Sequence, residues 1–295
     1  MYNYLTSEAL DQFITLALKE DIADGDHSTL SSVPKNAQKK AHLLIKDDGI
    51  LAGVELAKLI FAKVDKDLKL DIFINDGEKV KKGDIGFIVE GNAQSILTAE
   101  RLVLNCMQRM SGIATLTSQF VEVVKGTDTK ILDTRKTTPN SRITEKWAVK
   151  IGGGTNHRYG LFDMIMLKDN HVDYAGGISN AIQAAQSYCK EKNKDLKIEI
   201  ETRNIEEVKQ VLEVSKQTTP IDVIMLDNMT NEKMKEAVSI IQDFNKTSSK
   251  SITTEASGGI TLETIEGVSK TGVDAISVGA LTHSYKSLDM SLKAI

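Results

Sequence analysis

The chain has 295 residues, 41% hydrophobic and 26% charged, an ordinary globular balance with enough length for a sizeable core. A net charge of −4 and a pI near 5.8 argue against nucleic acid or an anionic membrane as partner, since either would favour a basic face. There is no transmembrane-length apolar run, no signal-like start and only two cysteines, Cys106 and Cys189. No membrane helix or disulfide scaffold is expected, and a reducing cytoplasm is the simplest compartment.

Residues 6–22 predict an amphipathic helix capped by Thr6 or Ser7, with Leu10, Phe13, Ile14 and Ala17 at helical spacing. A polar loop follows over 21–29. Short β-like runs at 41–45, 50–54, 68–74 and 85–89, with a helical piece near 55–64, describe a small α+β unit. Residues 95–124 predict a long helix, with Ser111-Gly112 expected to interrupt it. Arg101 lies among apolar neighbours there and by itself reads as a snorkelling surface arginine. From 130 onward apolar runs at 130–132, 164–167, 197–200, 222–226, 252–256 and 274–278 alternate with helical stretches, clearest at 179–191, 205–214, 231–245 and 262–270. Such alternation predicts a parallel sheet covered by helices, as a barrel or an open doubly wound sheet.

In parallel α/β folds chemistry gathers at the C-terminal ends of strands, and here those ends are charged. They deliver Asp133, Arg135 and Lys136; Lys168, Asp169, Asn170 and His171; Glu199 and Glu201; Asp227 and Asn228; and Glu255. Asn156-His157-Arg158 lies on the loop before the second strand. The cations Arg135, Lys136, His157, Arg158 and Lys168 suit a ligand with several negative groups. Glu201 and Asp227 suit ribose hydroxyls or a hydrated Mg²⁺. Ser257-Gly258-Gly259-Ile260, expected to end a strand and start a helix, and Gly279-Ala280 suit a phosphate. His157 and His171 as zinc ligands lack a third ligand at the usual spacing. Lys168 as a Schiff-base lysine is a further alternative.

The blocks DTRKTTP (133–139), GGGTNHRYGLFD (152–163), LKDNH (167–171), IEIE (198–201), MLDN (225–228), EASGGI (255–260) and ISVGALTHS (276–284) resemble the quinolinate phosphoribosyltransferases. EDIADGDHST (20–29) and TAERLVLNCMQRMSGIATLT (98–117) extend the resemblance over nearly the whole chain. It implies an α/β fold: an N-terminal α+β sandwich domain (1–112, with 280–295 returning to it) and an incomplete, open α/β barrel of seven strands (113–279). It further implies a homodimer, or an assembly of dimers, in which Arg101 reaches the partner's site. The implied reaction joins quinolinate to 5-phosphoribosyl 1-diphosphate, giving nicotinate mononucleotide, diphosphate and CO₂. By matching position, Arg101, Thr134, Arg135, Lys136, His157, Arg158 and Lys168 would hold quinolinate. Lys136, Lys168, Glu201, Asp227, Ser257, Gly258, Gly259, Gly279 and Ala280 would hold the phosphoribosyl donor, with Mg²⁺ on Glu201 and Asp227 directly or through water. Three features depart from the family pattern: Asn140-Ser141 where Gly-Leu is commoner, His27 where a β-branched residue is commoner, and a longer segment between Glu201 and Asp227. The rivals are a phosphoribosyltransferase acting on nicotinate without decarboxylation, and a barrel that has lost catalysis and serves as a ligand sensor.

Overall fold

The computed structural model describes residues 4–295. Its elements in chain order are α1 (Ser7–Ile22), α2 (His27–Ser32), β1 (Gln38–Ile45), β2 (Gly49–Ile50), α3 (Val54–Val64), β3 (Lys69–Ile72), β4 (Lys79–Val80), β5 (Ile85–Asn92) and α4 (Ala93–Val123). Next come β6 (Lys130–Leu132), α5 (Arg142–Ile151), β7 (Ile165–Leu167), α6 (Asp169–Tyr174), α7 (Ile178–Glu191), β8 (Ile198–Thr202), α8 (Ile205–Gln217) and β9 (Val223–Asp227). The last are α9 (Asn231–Asn245), β10 (Thr253–Ser257), α10 (Ile265–Ser269), β11 (Ala275–Ser277), α11 (Ala280–His283) and β12 (Met290–Ala294). They form two compact units, one of residues up to Ser118 with Lys136–Gly154 and Leu281–Ile295, the other of Gln119–Arg135 and Thr155–Ala280.

The first unit is built on an antiparallel sheet of order β12-β1-β5-β3. Along β1 burial alternates from Ala41 to Ile45, so Ala41, Leu43 and Ile45 face the core and His42 and Leu44 do not. On α3, Leu56, Ile60 and Phe61 recur on one buried face, and Phe61 meets Phe87 of β5 edge-on at 6.0 Å. Thr6 caps α1 as its sequence requires, its hydroxyl accepting the Ala9 N–H. The polar loop after α1 carries one turn more order than expected: Asp26 accepts the Thr29 N–H and starts the short helix α2.

Helix α4 runs through Ser111-Gly112 without the expected break. Both residues serve close packing. The buried Ser111 hydroxyl accepts the Ala52 N–H and donates to the Ala52 carbonyl. A Cβ on Gly112 would lie 2.3 Å from the Lys286 carbonyl oxygen. Gly152, first of the three consecutive glycines, is small for the same reason, since its Cβ would stand 2.4 Å from the Ala114 carbonyl oxygen of α4.

The second unit holds a six-stranded parallel sheet of order β6-β11-β10-β9-β8-β7. Its six strands coincide with the six apolar runs. All are short, and the inner ones are buried on both faces, with Ile200, Ile224, Leu226, Ala256 and Ile276 wholly inside. The edge strands β6 and β7 do not pair with each other, so the barrel stays open. The resemblance implies seven strands. Where a seventh would lie beside β6, the described residues have a single parallel bridge from Thr155 to Leu132.

Candidate active site

Because all six strands run parallel, their C-terminal ends share one rim of the second unit, and the predicted charged residues other than Arg101 and Lys136 stand there. β6 leads into Asp133, which is fully buried. Its carboxylate accepts the Asn156 side-chain amide at 2.6 Å and the His157 N–H at 2.8 Å, and this anchors the Asn156–Arg158 loop beside the strand end. Asp133 is thus a strut, and its burial without solvent is tolerable because donors surround it.

His157 is mostly buried, 7% exposed, and both ring nitrogens are engaged. Nδ1 accepts the Arg158 N–H at 2.7 Å. Nε2 lies 3.0 Å from Glu199 and 3.3 Å from Glu255, carboxylates buried inside the sheet on β8 and β10. Burial opposes charge on the imidazole, but the bonds from Glu199 and then Glu255 outweigh it and push its pKa up to about 10. Burial, followed by the Glu255 charge, lifts Glu199 to about 7. The cluster therefore keeps an extra proton at neutral pH. The three side chains are close enough to surround one metal ion, within 4.8 Å of one another, and the contacts of His157 Nε2 with both carboxylates make them a hydrogen-bonded triad. His171, the other histidine weighed as a metal ligand, turns its Nδ1 to the Lys168 N–H at 2.9 Å and caps α6.

Two guanidinium groups on the same rim, those of Arg135 and Arg158, feel each other's charge. Arg158 has its pKa lowered by burial and then by the neighbouring Arg135 charge. Arg135 Nε is buried with no hydrogen-bond partner. Two cations that repel each other, one with a buried unanswered N–H, form a costly arrangement that an anion relieves.

Beside them, Lys168 at the end of β7 reaches Glu201 of β8, with Nζ 2.6 Å from Oε1. Asp227 ends β9 and is the register partner of Ser257 at the end of β10. A Cβ on Gly258, which adopts φ +102°, would fall 2.1 Å from Asn228 Oδ1, so only glycine fits there. Gly259, also at positive φ, opens onto empty space. The helix expected to follow these glycines directly begins only at Ile265. A phosphate at Ser257–Gly259 would meet the N–H groups of a turn. Gly279, in contrast, is followed at once by the short α11 from Ala280. Thr134 is half-buried just after Asp133.

Two predicted residues belong to the first unit. Arg101 is exposed on α4. Lys136 lines a cavity of about 390 Å³ together with Arg109, Thr137, Thr138, Thr282 and His283.

The chain matches the family model described as "Quinolinate phosphoribosyl transferase, C-terminal domain" over residues 113–293 and that described as the N-terminal domain over residues 24–111. The chain belongs to the quinolinate phosphoribosyltransferase family. It is similar to quinolinate phosphoribosyltransferase [decarboxylating] 2, mitochondrial, of Nicotiana glauca, 48% identical over 295 residues, covering 96% of this chain and 82% of the relative. Nicotinate-nucleotide pyrophosphorylase [carboxylating], chloroplastic, of Arabidopsis thaliana is also 48% identical, over 288 residues, with the same coverage of 96% and 82%. Among solved structures, NadC of Streptococcus pyogenes superposes with a TM-score of 0.89 at 36% identity, covering 98% of this chain and 97% of that one. Within this quinolinate phosphoribosyltransferase fold, four residues pair in ways the motif spacing does not announce: Glu199 and Glu255 behind His157, and Arg109 with Glu145 in the first unit. The alternation Glu199-x-Glu201 places both on one face of β8 but does not separate the buried carboxylate from the rim one.

Proposed function

We propose that this chain transfers the phosphoribosyl group of 5-phosphoribosyl 1-diphosphate to quinolinate, releasing nicotinate mononucleotide, diphosphate and CO₂ in the de novo route to NAD. The observation that carries this reading is the Arg135–Arg158 pair, two mutually repelling guanidiniums of which one has a buried unanswered N–H, on a rim that also carries Lys168, Glu201 and Asp227. A dicarboxylate answers both guanidiniums, whereas nicotinate, with one carboxylate, answers fewer. The names of the tobacco and Arabidopsis relatives describe the same reaction, in the decarboxylating and reverse, carboxylating directions.

In this reading Arg135 and Arg158, with Thr134, Lys136, Lys168 and Arg101, hold the two carboxylates and aim the pyridine nitrogen at the ribose C1. This is a positioning effect. The C1–O bond to diphosphate breaks as the nitrogen lone pair forms the new bond. Glu201 and Asp227 face the positive charge that builds on the ribose, and Lys136 and Lys168 the negative charge that builds on the diphosphate. Loss of the 2-carboxylate leaves a carbanion beside the now cationic nitrogen, which stabilises it until a proton arrives. Ser257, Gly258, Gly259, Gly279 and Ala280 cradle the 5′-phosphate. His157 acts in this scheme through its backbone and its bond to the Arg158 N–H, because its ring nitrogens are already engaged. The oxygen donors of Glu201 and Asp227, on adjacent strand ends, fit a hydrated Mg²⁺. When bound, the ion neutralises diphosphate charge.

We further propose a homodimer in which the exposed Arg101 enters the partner's site. The free thiols of Cys106 and Cys189 support a reducing compartment such as the cytoplasm, though the two relatives carry mitochondrial and chloroplastic names. No helix among the described residues is long and apolar enough to cross a membrane. Incubation with quinolinate, 5-phosphoribosyl 1-diphosphate and Mg²⁺ tests the reaction, with release of CO₂ and nicotinate mononucleotide in equal amounts as the expected result. Turnover of nicotinate with none of quinolinate would overturn it.

A further inference from the structure

In the first unit, three residues in a row are pinned by side chains from elsewhere. The Lys136 carbonyl accepts the Thr282 hydroxyl at 2.8 Å. The Thr137 hydroxyl accepts Arg142 Nε at 3.0 Å. The Thr138 N–H donates to the Glu145 carboxylate, at 3.2 Å to Oε2, and the Thr138 hydroxyl accepts from Arg109. The segment then turns through Asn140, which adopts φ +64°, a conformation asparagine tolerates better than most residues.

Glu145 is the centre of this arrangement. It is wholly buried in the first turn of α5. Its Oε1 accepts Arg109 Nε at 3.0 Å and a second bond from the Arg109 terminal nitrogen, while Arg109 also lies over the Tyr285 ring, 5.3 Å from its centroid. A buried carboxylate is costly unless its bonds are made, and apolar residues would fill the same space at less cost. What the ion pair adds over apolar packing is direction. One carboxylate ties α4, through Arg109, to the backbone two residues beyond Lys136. The cavity beside this segment is lined by two cations, Arg109 and Lys136, and by the hydroxyls of three threonines and Ser287, a set that suits a phosphate-class anion.

We infer that Glu145 is a positioning residue: through Arg109 and the Thr138 N–H it fixes the backbone from which Lys136 meets the diphosphate of the donor. The inference rests on the phosphoribosyl-transfer reading above. It predicts a larger effect on the donor than on quinolinate, since the donor diphosphate meets Lys136 and Lys168 while quinolinate keeps Arg135 and Arg158 as its main partners.

The test is steady-state kinetics of the full-length enzyme and its Glu145→Gln variant, with calorimetric titration of inorganic diphosphate into both. Gln keeps the shape but cannot satisfy Arg109 and Thr138 together. The expected result is a KM for 5-phosphoribosyl 1-diphosphate raised at least tenfold, a quinolinate KM within twofold of the parent, and diphosphate binding at least tenfold weaker. A merely structural role would lower the active fraction and leave both KM values alone. Unchanged KM values, or both rising by one factor, overturn the inference. If Glu145→Gln does not fold, Thr138→Val leaves the buried ion pair intact, and a selective threefold rise in donor KM supports the inference while no change overturns it. Should the parent enzyme fail to turn over this substrate pair, the functional reading fails on its own. The calorimetric comparison then decides the inference separately, equal diphosphate binding by parent and variant overturning it.

Discussion

At the scale of single residues, the rim of the second unit is built from groups uncomfortable without a ligand. The Arg135 charge adds to burial in lowering the pKa of Arg158, and Arg135 itself keeps a buried N–H unpaired. Arg158→Ala and Arg135→Ala should each raise the quinolinate KM or lower kcat/KM by an amount equivalent to about 2–5 kcal/mol, the usual cost of truncating one partner of a buried charge pair. Arg135→Lys should recover little of it, because lysine cannot present a planar fork to a carboxylate. Kinetics with quinolinate varied at saturating donor check both. Gly258 makes a different demand. Its φ is +102°, and a Cβ there would come within 2.1 Å of Asn228 Oδ1, which leaves no room for alanine. Gly258→Ala should cost roughly 1–3 kcal/mol of stability through strain at a special backbone conformation, measured by urea unfolding, and should weaken donor binding as the turn shifts.

At the scale of elements, β8 and β10 do more than carry rim residues. Each sends one glutamate inward to His157, the reverse of the apolar filling usual for a parallel sheet. The His157 pKa is raised from 6.5 to about 10 in the folded chain, so folding takes up a proton. A group with a raised folded pKa contributes stability that is complete below its unfolded value and is lost as pH rises through the folded one. Thermal melts should therefore show stability falling as pH climbs from about 6.5 towards 10, on the order of 1 kcal/mol per pH unit at most. Glu255→Gln removes one of the two carboxylates that raise the pKa, and its melting temperature should depend less on pH over that window. An identical slope in both proteins would show that the triad is not the source. The Arg158 N–H, held at Nδ1, links this triad to one of the two rim guanidiniums.

For the whole molecule, the proposed dimer supplies a test that no single-chain feature can imitate. Arg101→Ala and Lys168→Ala proteins, each inactive alone, should regain activity when mixed under conditions of subunit exchange, because a mixed dimer has one site free of both changes. At most about one site in four is then restored, for random pairing of equal amounts, since half the dimers are mixed and each has one intact site of two. Exchange demonstrated by labelled subunits with no return of activity would remove the shared site.

Much of this architecture is legible in the residues themselves. A strand buried on both faces declares itself as a short apolar run, so all six parallel strands coincide with runs in the chain, and the charged groups at their ends mark the rim. Thr6 announces α1 because capping is a local hydrogen bond. What depends on approach between distant segments is not legible. Ser111-Gly112 reads as a break in α4 but is a contact surface for Ala52 and Lys286. Gly258-Gly259 reads as a helix start but is a turn with α10 begun only at Ile265. Composition and spacing determined the strands and the charged rim at their ends. Tertiary structure alone decided that His157 is locked between Glu199 and Glu255 and that Glu145 holds the Lys136 segment, because a buried charge acquires its role only from the partners folding brings to it.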